Sequence, residues 1–108
     1  MIEFLKVEQH FDIANLGLVL IPDFSVPEGG WKATSEPILV KKPNGEKVEA
    51  EAAFNLAHFN IRDPEVPVDR RWRVTVAIKE RTKEDVPIGS RLFAEESFVQ
   101  KLIKKQNA

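Results

Sequence analysis

Asn44-Gly45 stands between two runs of strand-like residues, and this arrangement constrains the fold more than any other feature of the chain. Before it lies Pro37-Ile38-Leu39-Val40-Lys41-Lys42. After it, Val48, Ala50, Ala52, Phe54 and Leu56 alternate with Lys47, Glu49, Glu51, Ala53 and Asn55. Successive side chains on a strand point to opposite faces, so the alternation buries one face and wets the other. A two-residue Asn-Gly loop accepts positive φ at both central positions, as a type I′ turn requires. The sequence therefore predicts a β-hairpin closed by that turn.

The same alternation recurs on both sides. Leu5, Val7, Phe11 and Ile13 share a parity against Lys6, Glu8, His10 and Asp12, which predicts one strand over about 2–13, its apolar face interrupted at Gln9. Leu18-Val19-Leu20-Ile21 reads as a buried strand that follows Gly17 and ends at Pro22. Pro22, Pro27, Gly29, Gly30 and Pro37 then punctuate a loop-rich stretch in which Phe24, Val26 and Trp31 are apolar anchors. Asp63-Pro64-Glu65-Val66-Pro67 is a connector. In Trp72–Ile78, Trp72, Val74, Val76 and Ile78 face one way and Arg73, Thr75 and Ala77 the other. A charged loop and the turn Val86-Pro87-Ile88-Gly89-Ser90 lead into a last strand, Arg91-Leu92-Phe93-Ala94. From Glu95 to Lys105, Phe98, Val99, Leu102 and Ile103 form one stripe at helical spacing, with acids at the start and lysines at the end. The expected fold class is all-β: a small antiparallel Greek-key barrel of about six strands over 1–94, with a short C-terminal helix and tail over 95–108.

A chain of 108 residues fits one domain. It has no cysteine, which excludes disulfides, thiolate catalysis, zinc-thiolate sites and iron–sulfur clusters. A net charge of −1 argues against a polyelectrolyte role on DNA. No run approaches the roughly 20 apolar residues that span a bilayer. Met1-Ile2-Glu3-Phe4-Leu5-Lys6 lacks the pattern of a signal peptide, and cytoplasmic residence is the expectation.

Residues that carry chemistry are few. His10 and His58 are the only histidines. A shared metal or acid–base site would require their strands to be neighbours in register; otherwise His10 is a solvated residue and His58 a partly buried one. The sharpest local anomaly is Arg70-Arg71-Trp72-Arg73, which Arg62, Lys79, Arg81 and Lys83 extend. Arginines on a β-surface hold phosphates, and an exposed Trp stacks bases. The ordinary alternative puts Trp72 in the core and pairs the arginines with Asp63, Glu65 and Asp69. Glu84-Asp85 and Glu95-Glu96 are adjacent carboxylates, and adjacency in sequence does not create the contrasting environments that catalysis needs. Pro27-Glu28-Gly29-Gly30 lacks the Lys-Ser/Thr of a phosphate loop. Trp31 reads as an anchor for a partner or as a plug for the open end of a barrel.

Three segments together resemble the second domain of translational GTPases, the elongation factor Tu type of barrel. Phe4-Leu5-Lys6-Val7-Glu8-Gln9-His10-Phe11-Asp12-Ile13 is similar to that domain's first strand, and Gly17-Leu18-Val19-Leu20 to the turn and strand after it. Arg73 to Phe93 is similar to the closing pair: an apolar strand, a charged loop, a Gly and a short strand. The resemblance implies a translation-factor-like β-barrel without the phosphate-binding loop, hence without GTPase activity. Asn15-Leu16-Gly17-Leu18-Val19 stands where the family has Gly-Arg-Gly-Thr-Val, so the arginine of that turn is missing.

The functional expectation is a non-enzymatic, cofactor-free binding module that docks to a protein partner through the Asp23–Glu36 loop, with Phe24 and Trp31 as its contacts. The alternative is tRNA or rRNA binding through Arg70, Arg71, Arg73 and Lys79. A third reading pairs two copies, through an open strand edge or through the stripe of the terminal helix at Phe98 and Leu102.

Overall fold

The computed structural model describes residues 1–14, 16–27, 29–58 and 72–103, without the side chains of His58 and Trp72. Among these residues seven strands are present: β1 (Ile2–Lys6), β2 (Gln9–Ile13), β3 (Gly17–Ser25), β4 (Thr34–Lys41), β5 (Lys47–His58), β6 (Trp72–Ile78) and β7 (Arg91–Ala94). One helix, α1 (Glu96–Leu102), follows. The strands form a single antiparallel sheet in the order β1-β7-β4-β5-β6-β3-β2. The architecture is all-β with a short C-terminal helix, as the alternation predicts. The spans of β6 and β7 fall where the pattern places them.

The first strand differs from expectation. The chain bends at Val7-Glu8, so β1 pairs with β7 at one end of the sheet and β2 with β3 at the other. The sheet curls far enough for two residues to join its edges. Val7 N–H donates to Ser90 O at 2.8 Å and Gly89 N–H donates to Val7 O at 2.8 Å, while Glu8 N–H donates to Ile21 O at 2.9 Å. Leu5 and Val7 point into the core, whereas Phe11 and Ile13, of the same parity, are exposed. The bend reverses which parity faces inward. The register shift between Glu3 and Leu5 marks a bulge at Phe4, whose ring lies 5.7 Å from that of the buried Phe54.

Two prolines lie in strands rather than ending them. β3 runs through Pro22, where the β3–β6 register shifts between Leu20 and Phe24. β4 begins at Thr34 and includes Pro37, opposite Glu51. β7 pairs with β4 only at Leu39–Lys41, so Pro37 occupies an edge-like half of β4, where no ladder N–H is required of it.

The hairpin is present, with a different turn. Gly45 N–H donates to Lys42 O at 2.9 Å, and Lys42 N–H donates to Glu46 O at 2.8 Å. Gly45 has φ +92°, and Asn44 does not have positive φ. This is a turn with Pro43 at its second position and Asn44 at its third, followed by a left-handed Gly: a type I turn with a G1 bulge, not type I′. Pro43, whose ring holds φ near −65°, suits that second position. Asn44 Oδ1 accepts from Glu46 N–H at 2.9 Å and secures the tip.

The core fills the concave side. Leu18, Leu20, Val40, Phe54, Val74, Val76, Ile78 and Leu92 are fully buried. α1 lays Phe98, Val99 and Leu102 onto this core, with the Phe98 and Phe54 rings edge to face at 4.6 Å. The helical stripe is therefore spent within its own chain, and Phe98 and Leu102 are not available to pair two copies. Leu56, placed on the buried face by alternation, is 39% exposed near the end of β5.

Candidate interaction surface

Among the described residues, chemistry-bearing side chains do not converge. β2 and β5 are separated in the sheet by β6 and β3, so the strands of His10 and His58 are not neighbours; the His58 side chain lies outside the described residues. His10 is not solvated. It faces inward opposite Leu20, half-buried, and its Nδ1 sits 2.9 Å from Val86 O. Among the described residues no group of three His, Cys, Asp or Glu side chains is arranged to hold a metal ion. The carboxyl of Asp85 is held below its ordinary pKa, first by Thr82 N–H, which donates to Oδ2 at 3.0 Å, and further by the Thr82 hydroxyl and the charges of Arg81 and Lys42. A carboxylate kept charged in this way lacks the raised pKa of a general acid.

Arg70 and Arg71 lie outside the described residues, as do Arg62, Asp63, Glu65 and Asp69. Arg73 is paired, with a partner the sequence did not point to. Its Nη2 and Nε donate to Asp23 Oδ1 at 2.9 and 3.1 Å, and Nη1 donates to Ser25 Oγ at 3.2 Å. Register explains the match, since Ser25 of β3 stands opposite Arg73 of β6. Lys79 is exposed beside an open groove of about 340 Å³ on the outer face, lined by Ser35, Glu51, Ala53, Ala77, Glu80 and Arg81 as well. Acids match bases there, and Arg81 is committed to the carbonyls of Glu49 (2.8 Å) and Glu80 (3.2 Å).

Phe24 and Trp31, the expected partner contacts, are half-buried and packed against the core. Phe24 stacks toward Phe4 at 6.2 Å. Trp31 meets the edge of Phe98 at 6.0 Å, and its indole N–H donates to Phe54 O at 3.0 Å. The ring packs beside α1, against the core. Replacing Trp31 by Phe keeps most of that packing and removes the indole donor, so we expect a loss of about 1 kcal/mol of stability in urea denaturation. No change would mean that the Phe54 carbonyl finds another donor.

The surface that exposes apolar side chains is β2. Phe11 is 47% exposed, Ile13 43% and Leu16, in the turn beyond, 42%. Phe11 and Ile13 share the outer face with Val19, because Phe11 stands opposite Val19 and Ile13 opposite Gly17. Among the described residues β2 pairs with β3 alone, so its other edge presents free backbone donors and acceptors. Sequence reasoning missed this surface because the parity of Phe11 and Ile13 assigned them to the core. The signal available was Gln9, the break in the apolar face next to the bend. No protein-family model, no curated protein and no solved structure matches this chain.

Proposed function

We propose that the chain is a non-enzymatic binding module, a translation-factor-like β-barrel that docks to a protein partner by accepting a strand of it along the outer edge of β2. The observation that carries this reading is the coincidence of a strand edge that is unpaired among the described residues with exposed Phe11 and Ile13 on that strand. Main-chain hydrogen bonds supply affinity in such strand addition, and alternate side chains supply selectivity. The half-buried setting of Phe24 and Trp31 favours β2 over the Asp23–Glu36 loop as the contact. RNA binding through Arg70, Arg71, Arg73 and Lys79 is the separate reading, and the pairing of Arg73 with Asp23 weighs against it.

The test is capture by the immobilised chain from a cell lysate that also contains the untagged chain. The expected result is a retained protein, of its own or another sequence, that Phe11→Lys does not retain. Retention unchanged in Phe11→Lys, or retention only of RNA with an affinity that falls steeply with salt, contradicts the reading.

A further inference from the structure

Resting on the strand-addition reading, we infer that the strand received at β2 is the β2 of a second copy, antiparallel and centred on Phe11. Two observations select this occupant. First, Gln9-His10-Phe11-Asp12-Ile13 lacks two of the devices that keep sheet edges apart, having no proline and no lysine. Second, one register of self-pairing sets no two carboxylates opposite each other.

A two-fold axis perpendicular to the sheet keeps each face continuous, so opposite residues must share parity. Three such registers keep the centre of pairing within the middle of β2. Centring on His10 sets Glu8 of one copy against Asp12 of the other, and centring on Asp12 sets the two Asp12 carboxylates against each other. Like charges directly opposite destabilise a strand pair. Centring on Phe11 sets His10 of each copy against Asp12 of the other, twice, and pairs all five residues of β2. His10 and Asp12 lie on the inner side of the strand, opposite Leu20 and Leu18, so both contacts form on one face. On the outer face the two Phe11 rings become cross-strand neighbours, and Gln9 meets Ile13. The pairing joins two seven-stranded sheets and removes both exposed β2 edges.

The chain has no cysteine, so introduced thiols report the register without interference. Light scattering at about 100 µM is expected to give the mass of two chains for the native protein and of one chain for Phe11→Lys, with circular dichroism unchanged. Under mild oxidation Phe11→Cys should cross-link to itself at least tenfold faster than Ile13→Cys, although both positions are exposed. A native chain that is monomeric at this concentration overturns the inference, as does a Phe11→Lys dimer. Equal cross-linking at the two positions overturns the register. A monomer that still captures a foreign protein through Phe11 separates failure of this inference from failure of the strand-addition reading, which would survive.

Discussion

Phe54→Ala is expected to cost about 4 kcal/mol, lowering the urea midpoint by roughly 2 to 3 M at a slope of about 1.5 kcal/mol/M. Phe54 is fully buried at the meeting point of three elements. Its ring lies 5.7 Å from Phe4 of β1 and 4.6 Å from Phe98 of α1. Its carbonyl holds the Trp31 indole. Truncation removes the transfer energy of the ring and leaves a cavity that a sheet on one side and a helix on the other cannot both close. Since domains of this size are stable by about 5–15 kcal/mol, the loss is between about a quarter and four fifths of the total. A loss under about 1 kcal/mol would mean that α1 and Trp31 are not seated on this ring.

The second large effect is expected at Gly17. Its φ is +96°, and a Cβ built there would stand 2.7 Å from Ile78 O, 3.2 Å from Ile78 C and 3.3 Å from Lys79 Cα. All three are backbone atoms in or next to β6, so no rotamer change relieves the contact. Gly17→Ala should therefore combine left-handed strain of about 1–2 kcal/mol with overpacking of similar size, about 3 kcal/mol together. Gly45→Ala is the internal control. Gly45 has φ +92° with nothing within 4 Å of the added Cβ, so only the strain applies. Urea denaturation of the two variants should separate them by about 2 kcal/mol. Equal losses would show that β3 and β6 do not approach as closely as the register between Leu18 and Ile78 requires.

Much of the fold is legible in the sequence where large apolar residues alternate densely. β6 and β7 are dense alternations, and Val74, Val76, Ile78, Leu92 and Ala94 are all buried as their parity demands. α1 is legible from the helical spacing of Phe98, Val99 and Leu102. The bend at Val7-Glu8 is not legible, because it needs neither glycine nor proline and leaves the apolar parity of 5, 7, 11 and 13 intact across it. Parity shows which residues share a side of one strand; it does not show that the strand has changed sheet edges. The turn at 42–46 was legible in principle. Pro43 before Asn44-Gly45 is the mark of a type I turn with a left-handed glycine, and it outweighs the dipeptide alone.

The candidate surface was legible in part. The possibility of an open strand edge follows from the strand count, but its position on β2 follows only from the pairing partners of β1 and β2. The Asp23–Arg73 pair joins residues fifty positions apart, and only the β3–β6 register brings them together. Phe24 and Trp31 looked like loop anchors because loops are usually wet; Phe24 instead lies in β3, opposite Val74 and beside Phe4, and the loop after β3 folds Trp31 back onto Phe98 and the Phe54 carbonyl.

The most direct test of the account is fluorine NMR of the chain labelled with fluorophenylalanine, read for solvent contact at each ring through the shift between light and heavy water. In dilute solution Phe11 should show strong solvent contact and Phe54 almost none, and the Phe11 signal should lose solvent contact as concentration rises through the dimer transition. A Phe11 ring as shielded as Phe54 at every concentration would place it in the core, and both the bend at Val7-Glu8 and the β2 docking edge would be wrong.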